Sequence, residues 1–246
     1  MSNKCSKSSS KKKHNGRLKW LLCGFVSFVV GVIVGCISLF FVAHHIGESQ
    51  GGESQDVMLK KPVIYLYPEE KTDVDVSLDL KNGKLISTYP EYKDGWHVTA
   101  ESDGTLYDSK GQSYNYLYWE SESDIDFDFS TGYCIKGADT ATFLEKKLLD
   151  LGLTRKEANE FIIYWLPQME RNSYNIISFQ TNAYTDNAKL NVNPTPDALI
   201  RVYMAYYGSD KAVDIDEPEK EIAPKRDGFT VVEWGGSEVC REYYNK

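Results

Sequence analysis

The chain has 246 residues, of which 36 are acidic and 28 basic, so its formal net charge at pH 7 is −8. All 36 acidic residues but only 21 of the basic ones lie after residue 43, which leaves residues 44–246 with a charge of −15. Because such a surface repels nucleic acid phosphates, the composition excludes a nucleic-acid partner.

Residues 20–43 form an apolar run without Asp, Glu, Lys or Arg. As a helix the run would be about 36 Å long, enough to cross a hydrocarbon core of about 30 Å. Residues 1–19 are basic and contain no acid, so the positive-inside rule keeps them in the cytoplasm. The sequence therefore predicts a single-pass cell-membrane protein with a transmembrane helix at residues 20–43 and an extracellular C-terminal domain.

Two other interpretations of this segment remain open, a cleaved secretory signal and a lipoprotein signal. Cleavage before His44 would follow Phe-Val-Ala, where small residues are normally found. The sequence Ile-Val-Gly-Cys at residues 33–36 resembles a lipoprotein site with a lipidated Cys36, although residues 37–42 stay apolar beyond it.

Small residues recur every four positions in the apolar run, at Ser27, Gly31 and Gly35. This spacing puts them on one helix face, where two backbones can approach closely. The pattern predicts a weak homodimer through the membrane helix.

Residues 44–60 are polar and contain Gly-Glu-Ser-Gln twice, which predicts a flexible linker. Residues 61–246 are rich in Tyr, Val, Ile and Trp, so we expect one extracytoplasmic globular domain with its own core. Its two cysteines, Cys134 and Cys240, are candidates for a disulfide in an oxidising compartment.

Strand patterns dominate the first part of this domain. Apolar and polar residues alternate over residues 73–80, and the following Asn82 and Gly83 tolerate positive φ. We therefore predict that residues 84–89 return as a hairpin partner. Further strands are predicted at residues 63–67, 96–100, 114–119, 125–129, 174–180, 199–207 and 229–234.

Helical spacing appears in the middle of the domain. Leu144, Leu148 and Leu151 mark one helix that ends at Gly152. A second helix begins at Thr154 with the capping box Thr-x-x-Glu, buries Ala158, Phe161, Ile162 and Trp165, and is ended or kinked by Pro167. Because strands and helices do not alternate regularly, we predict an α+β fold that is mainly antiparallel β and sandwich-like, with an inserted helical hairpin. The transmembrane helix precedes this domain.

Five sequence blocks of the globular domain form a recognisable set. They are KPVIYLYP at residues 61–68, YPEY with GW at residues 89–96, EANEFIIYWLP at residues 157–167 followed by QME, YTDNAK at residues 184–189 and GFTVVEWGG at residues 228–236. Together they resemble a family of bacterial membrane-anchored extracytoplasmic domains without an assigned activity. The likeness extends from about residue 61 to residue 238 and implies a bacterial surface protein, but it identifies no catalytic residue.

Signatures of metal, nucleotide and triad chemistry are missing from the sequence. The globular domain has a single histidine, His97, and there is no zinc-ligand spacing, nucleophile elbow or phosphate loop. Asp124, Asp126 and Asp128 have calcium-loop spacing, but Phe129 and Ile135 replace the required Gly and Glu. We therefore predict neither a metal nor a cofactor.

Residues 114–129 carry tyrosines and acids at even-numbered positions and mostly apolar residues at odd-numbered positions from 117 onward. This alternation predicts a binding surface. With a turn near residues 120–123, one face of the hairpin is apolar, and the other carries tyrosines beside aspartates. Tyrosine rings stack on sugars while carboxylates accept hydrogen bonds from hydroxyl or ammonium groups, so the expected ligand is a glycan or a basic peptide. The predicted binding residues are Tyr114, Tyr116, Tyr118, Asp124, Asp126 and Asp128.

The first interpretation of function is thus a membrane-anchored binding or cell-envelope structural domain rather than an enzyme. The alternative is a carboxylate-dependent hydrolase of cell-envelope glycans. Its candidate catalytic residues are Glu120 and Glu233, because each is next to a tryptophan and an acid beside a large apolar ring can have a raised pKa.

Overall fold

The computed structural model describes residues 57–220 and 222–240, which contain twelve strands, three α-helices and a 3-10 turn at Gly137–Asp139. The helices are α1 (Thr140–Asp150), α2 (Arg155–Met169) and α3 (Thr181–Asn187). The strands are β1 (Val57–Tyr67), β2 (Thr72–Leu80), β3 (Gly83–Tyr89), β4 (Trp96–Ala100), β5 (Leu106–Tyr107), β6 (Ser113–Tyr114), β7 (Leu117–Ser123), β8 (Tyr133–Lys136), β9 (Tyr174–Phe179), β10 (Ala188–Asn193), β11 (Ala198–Ser209) and β12 (Thr230–Glu238).

The strands form two sheets. The larger has seven strands in the order β3-β7-β1-β12-β11-β9-β8, and the smaller has five in the order β10-β2-β4-β5-β6. Strands β11 and β12 are parallel, whereas the other pairings among these strands are antiparallel. The prediction of a β-rich, mainly antiparallel fold with a few helices is confirmed.

Two hydrophobic cores lie on opposite faces of the seven-stranded sheet. Ile64 and Leu66 of β1 join the first core, which also contains residues of the five-stranded sheet such as Val76. Val63 and Tyr65 point the other way and join the second core, which contains the apolar residues of α1 and α2. Because successive side chains alternate between faces, a strand that is buried on both faces reads as a continuous apolar run.

The helix pair follows local sequence signals. Thr154 and Glu157 form the predicted capping box at the start of α2, and Gly152 has the predicted left-handed conformation after α1. Ala158, Phe161 and Trp165 are buried as expected, while Ile162 is half-buried. Pro167 lies inside α2, which continues to Met169, so the helix does not end there, and the alternative of a kink stays a prediction.

Gly152 should resist substitution for two separable reasons. Its φ of +93° is strained for any other residue, and a Cβ added there would lie 2.8 Å from the Cβ of Ala223. Gly111 has a φ of +77° with nothing within 4 Å of such a Cβ, so Gly111→Ala measures the backbone strain alone. Urea unfolding should show Gly152→Ala to be more destabilising than Gly111→Ala by about 1 kcal/mol. Equal losses would mean that the contact with Ala223 costs nothing.

The hairpin predicted across Asn82 and Gly83 is wrong. Asn82 does adopt positive φ, at 55°. However, β2 pairs with β4 and β10 in the small sheet, while β3 pairs with β7 at the edge of the large one. The turn therefore carries the chain from one sheet to the other, because β3 gains a partner in β7 that a local pattern does not reveal.

The N-terminal boundary of the domain also differs from the prediction. Strand β1 begins at Val57, inside the predicted linker at residues 44–60, and its first residues pair with β7. The predicted cytoplasmic tail at residues 1–19, the transmembrane helix at residues 20–43 and the rest of that linker lie outside the described residues. Within residues 57–220 and 222–240, no helix has the length and hydropathy needed to cross a bilayer.

The candidate disulfide is not formed, since Cys134 and Cys240 are both free. Cys134 is in β8 and accepts a hydrogen bond from the Val213 amide at 3.3 Å. Cys240 follows β12, which two intervening strands separate from β8. Three strand spacings amount to about 14 Å, whereas a disulfide needs Cα atoms within about 7 Å.

Candidate functional site

The predicted turn at residues 120–123 is wrong, because β7 runs straight through it. Strand β7 is paired with β1 on one side and β3 on the other, which holds it extended to Ser123. The predicted burial of the odd-numbered apolar residues is nevertheless confirmed for Leu117, Trp119, Ile125 and Phe127, whereas Phe129 is half-buried. The tyrosines and aspartates therefore do not lie side by side, because the chain between Tyr118 and Asp124 spans about 20 Å when extended.

The predicted binding residues fall into three separate places. Tyr114 is in β6 of the small sheet, where its hydroxyl bonds Asp108 at 3.2 Å and its ring meets Tyr89. Asp124, Asp126 and Asp128 are exposed on the irregular segment after β7. Asp128 accepts hydrogen bonds from the amide and hydroxyl of Ser130 at 2.7 and 2.8 Å, so it stabilises a turn.

Tyr116 and Tyr118 remain together and pack against the second core. They meet Tyr164 of α2 around the side chain of Lys61. The Lys61 Nζ lies 5.2 Å from the ring centre of Tyr116, 5.4 Å from that of Tyr118 and 5.8 Å from that of Tyr164. The same nitrogen is 3.5 Å from the Tyr116 hydroxyl. All four residues are half-buried, so the rings are partly accessible to solvent.

An irregularity in β1 positions Lys61. Its φ is +58°, unusual for a residue with a side chain, and the pairing of β1 with both β7 and β12 shifts register between residues 59 and 63. Such bulges re-aim a side chain out of the strand alternation. The Lys61 amide donates to Oε1 of Glu120 at 3.1 Å, which fixes the bulge to β7. We call Lys61, Tyr116, Tyr118, Glu120 and Tyr164 the lysine–tyrosine patch.

Burial sets the ionisation of the patch. Burial, and then the nearby Glu120 carboxylate, raises the pKa of Tyr118 to about 12. The same two causes raise the pKa of Tyr164. Both hydroxyls therefore stay protonated at neutral pH and can donate hydrogen bonds. The patch thus offers ring faces, hydroxyl donors and one carboxylate.

Further tyrosines continue the patch along β1. The Tyr65 ring lies edge-on to Tyr116 with centroids 5.3 Å apart, and its hydroxyl donates to Glu160 of α2 at 2.7 Å. Tyr67 stacks on Tyr65 at 6.1 Å. Sequence reasoning missed Lys61 and Tyr164. Proline at residue 62, inside an apolar strand, was a signal for the bulge at Lys61, but no local pattern places a helical tyrosine over β7.

Glu233 is placed where hydrolysis is not feasible. Its side chain is fully buried and its Oε2 accepts from Nε of Arg201 at 2.6 Å. Its Oε1 accepts from the Trp119 indole at 3.1 Å, and the Arg201 guanidinium lies 4.6 Å from the centre of the Tyr184 ring. Glu233 is therefore a buried ion-pair partner, and its carboxylate has no exposed surface on which a substrate could bind.

A cavity of about 330 Å³ lies beside the N-terminal half of β11. Its walls include Leu151 after α1, Phe179 at the end of β9 and Pro224. Neither Glu120 nor Glu233 lines it. Within the described part of the chain, no cluster of three His, Cys, Asp or Glu side chains has an arrangement suited to a metal ion.

His97 lies on the exposed face of the small sheet with Asp75, whose Oδ1 is 2.6 Å from the imidazole Nδ1. This hydrogen bond raises the pKa of His97 and lowers that of Asp75. Because the folded-state pKa of His97 is raised, the contact with Asp75 stabilises the fold fully at pH values below the unfolded-state pKa. This stabilisation is lost as the pH rises through the folded-state pKa. An NMR titration of the His97 ring should therefore show a lower pKa in Asp75→Asn. An unchanged pKa would mean that the contact does not persist in solution.

Comparison with known proteins gives a relative but no activity. No family model matches the sequence, and no solved structure matches it. An "Uncharacterized protein in bglA 3′region" of Butyrivibrio fibrisolvens is 40% identical over 101 residues, which cover 40% of this chain and 91% of that protein. At this identity and coverage, the chain belongs to the same protein family as the B. fibrisolvens protein.

Proposed function

We propose that this protein is a membrane-anchored extracytoplasmic domain that binds cell-envelope glycans through the lysine–tyrosine patch. Residues 20–43 would serve as the anchor, with the basic residues 1–19 in the cytoplasm. The resemblance to bacterial membrane-anchored domains and the −15 charge after residue 43 support the same placement.

The observation that carries the proposal is the set of half-exposed tyrosine rings on rigid elements. Tyr118 is in β7 and Tyr164 is in α2, and both elements are fixed by the second core. Rings held in this way need not be ordered again when a ligand stacks on them. The neighbouring hydroxyl and carboxylate groups can pair with sugar hydroxyls, which gives direction to the contact.

Replacing Tyr116 and Tyr118 with Ser is expected to weaken glycan binding by about tenfold for each residue, because each ring contributes on the order of 1.4 kcal/mol. The measurement is co-sedimentation of the detergent-solubilised full chain with insoluble cell-wall glycan. Tyr174→Ser is the matched control, since Tyr174 is also half-buried but lies in β9, which three strands of the large sheet separate from β7. Binding that survives the loss of both patch tyrosines would refute the proposal.

The alternative, a hydrolase of cell-envelope glycans, now rests on Glu120 alone. Its Oε1 accepts a hydrogen bond from the Lys61 amide, and its half-buried side chain is partly accessible to solvent. A hydrolase needs a second acid across the scissile bond, and Glu233 is buried elsewhere. Reducing ends released in the same mixtures, and lost in Glu120→Gln, would establish hydrolysis instead of binding.

A further inference from the structure

The position of the Lys61 ammonium identifies the chemistry that the patch accepts. Three tyrosine rings surround Nζ within 6 Å, which is the arrangement by which aromatic side chains bind ammonium groups. Among residues 57–220 and 222–240, no carboxylate lies within ion-pair distance of Nζ. The rings and the Tyr116 hydroxyl are thus the groups that hold this charge.

The backbone shows that this placement has an energetic cost. A non-glycine residue at φ +58° is strained by about 1 kcal/mol or more, and β1 interrupts its ladder with both neighbours at the same point. A regular strand would have kept its side-chain alternation through residue 61. The strained bulge instead directs the Lys61 ammonium group toward the tyrosine rings.

The hold on Lys61 is loose. Distances of 5.2 to 5.8 Å from Nζ to the ring centres lie at the outer end of the cation–π range. At Tyr116 the nitrogen is nearer the hydroxyl than the ring centre, and that contact of 3.5 Å is long for a hydrogen bond. A lysine stem with four rotatable carbons can leave such a site without moving the backbone.

We propose that Tyr116, Tyr118, Tyr164 and Glu120 form a binding site for a protonated primary amine, and that Lys61 occupies this site until the ligand displaces it. The inference rests on the proposed function and defines its ligand as a glycan with free amino groups, such as a de-N-acetylated amino sugar. The Glu120 carboxylate favours a cationic ligand over an anionic one. Lys61 thereby lowers the apparent affinity of the site for the ligand, because its own ammonium competes for the rings.

Lys61→Gly vacates the site and suits its backbone, since glycine adopts positive φ without strain. With n-butylammonium as the probe and NMR of the detergent-solubilised full chain as the readout, Lys61→Gly should bind saturably and at least about tenfold more tightly than the unmodified chain. Lys60→Gly makes the same change one residue earlier and should leave the affinity unaltered. n-Butanol, which has the same alkyl chain without the charge, should not bind.

A second variant separates the site from general loosening of the fold. Lys61→Gly combined with Tyr118→Ser should lose the butylammonium affinity that Lys61→Gly gains. If Lys61→Gly binds n-butylammonium no better than the unmodified chain, the inference is overturned, even where insoluble glycan still binds and the proposed function stands. Tight butylammonium binding without glycan binding supports the amine site but overturns the assignment of a glycan as its ligand. Equal affinity for fully acetylated and deacetylated glycans also overturns that assignment.

Discussion

Replacing Glu233 with Gln is expected to lower the free energy of unfolding by about 3 kcal/mol, the largest loss from a single change considered for this protein. The substitution keeps an acceptor for the Trp119 indole but leaves the Arg201 guanidinium charged, only 6% exposed and without its ionic partner. A second Arg201 nitrogen, Nη2, already lacks a hydrogen-bond partner among the described residues. Few hydrogen bonds therefore remain to stabilise the guanidinium once Glu233 is replaced. Equilibrium urea unfolding followed by tryptophan fluorescence measures the loss.

A surface pair supplies the control for this prediction. Arg155 and Glu145 are also 2.6 Å apart, but their side chains are 55% and 46% exposed. Glu145→Gln should therefore cost no more than about 0.5 kcal/mol, because water screens the charge and replaces the partner. The two Arg–Glu pairs differ mainly in burial. Equal losses in Glu145→Gln and Glu233→Gln would show that burial of the Glu233 pair is unimportant.

The double change Arg201→Met with Glu233→Gln distinguishes an unpaired charge from a packing defect. If the stranded guanidinium causes the loss, removing it should restore much of the stability lost in Glu233→Gln, since apolar groups often replace buried ion pairs at little cost. If the double variant is less stable than the single one, the contact of the Arg201 guanidinium with the Tyr184 ring matters more than the unpaired charge.

Glu157→Gln is expected to have the second largest effect, about 2 kcal/mol. Glu157 is fully buried and both of its oxygens accept hydrogen bonds from Arg226, which also donates to the Gly152 carbonyl at 3.0 and 3.1 Å. These contacts fasten residue 226 to the turn between α1 and α2. The loss should be smaller than for Glu233 because Arg226 is 26% exposed and can turn to water. Urea unfolding again provides the measurement.

Glu157 also belongs to the capping box of α2, where its Oε2 accepts from the Thr154 amide at 2.7 Å. Glutamine can keep this bond, so Glu157→Gln tests the ion pair and not the cap. Thr154→Ala removes the other half of the cap and should cost about 1 kcal/mol. A Glu157→Gln loss no greater than that of Thr154→Ala would show that Arg226 adds little to the capping box.

Local sequence signals fixed the helix pair and the faces of the strands. Gly152 and the Thr154–Glu157 capping box act within one helical turn, and the structure has both at the positions predicted from the sequence. The odd-numbered side chains of residues 117–127 are buried because strand alternation needs no knowledge of the partner strand. The charge division at residue 43 is likewise a property of the sequence alone.

Only the tertiary structure decided which strands pair and therefore where the site lies. Strand β7 stays extended through Glu120 because β1 and β3 pair with it on both sides, and these partners come from distant parts of the chain. The same pairing separates Tyr116 and Tyr118 from the aspartates and brings them to Lys61 and Tyr164. Glu233 is buried because β12 lies near the middle of the large sheet, between β1 and β11. Local patterns determine which face of a strand is buried, but non-local hydrogen bonds determine its neighbours.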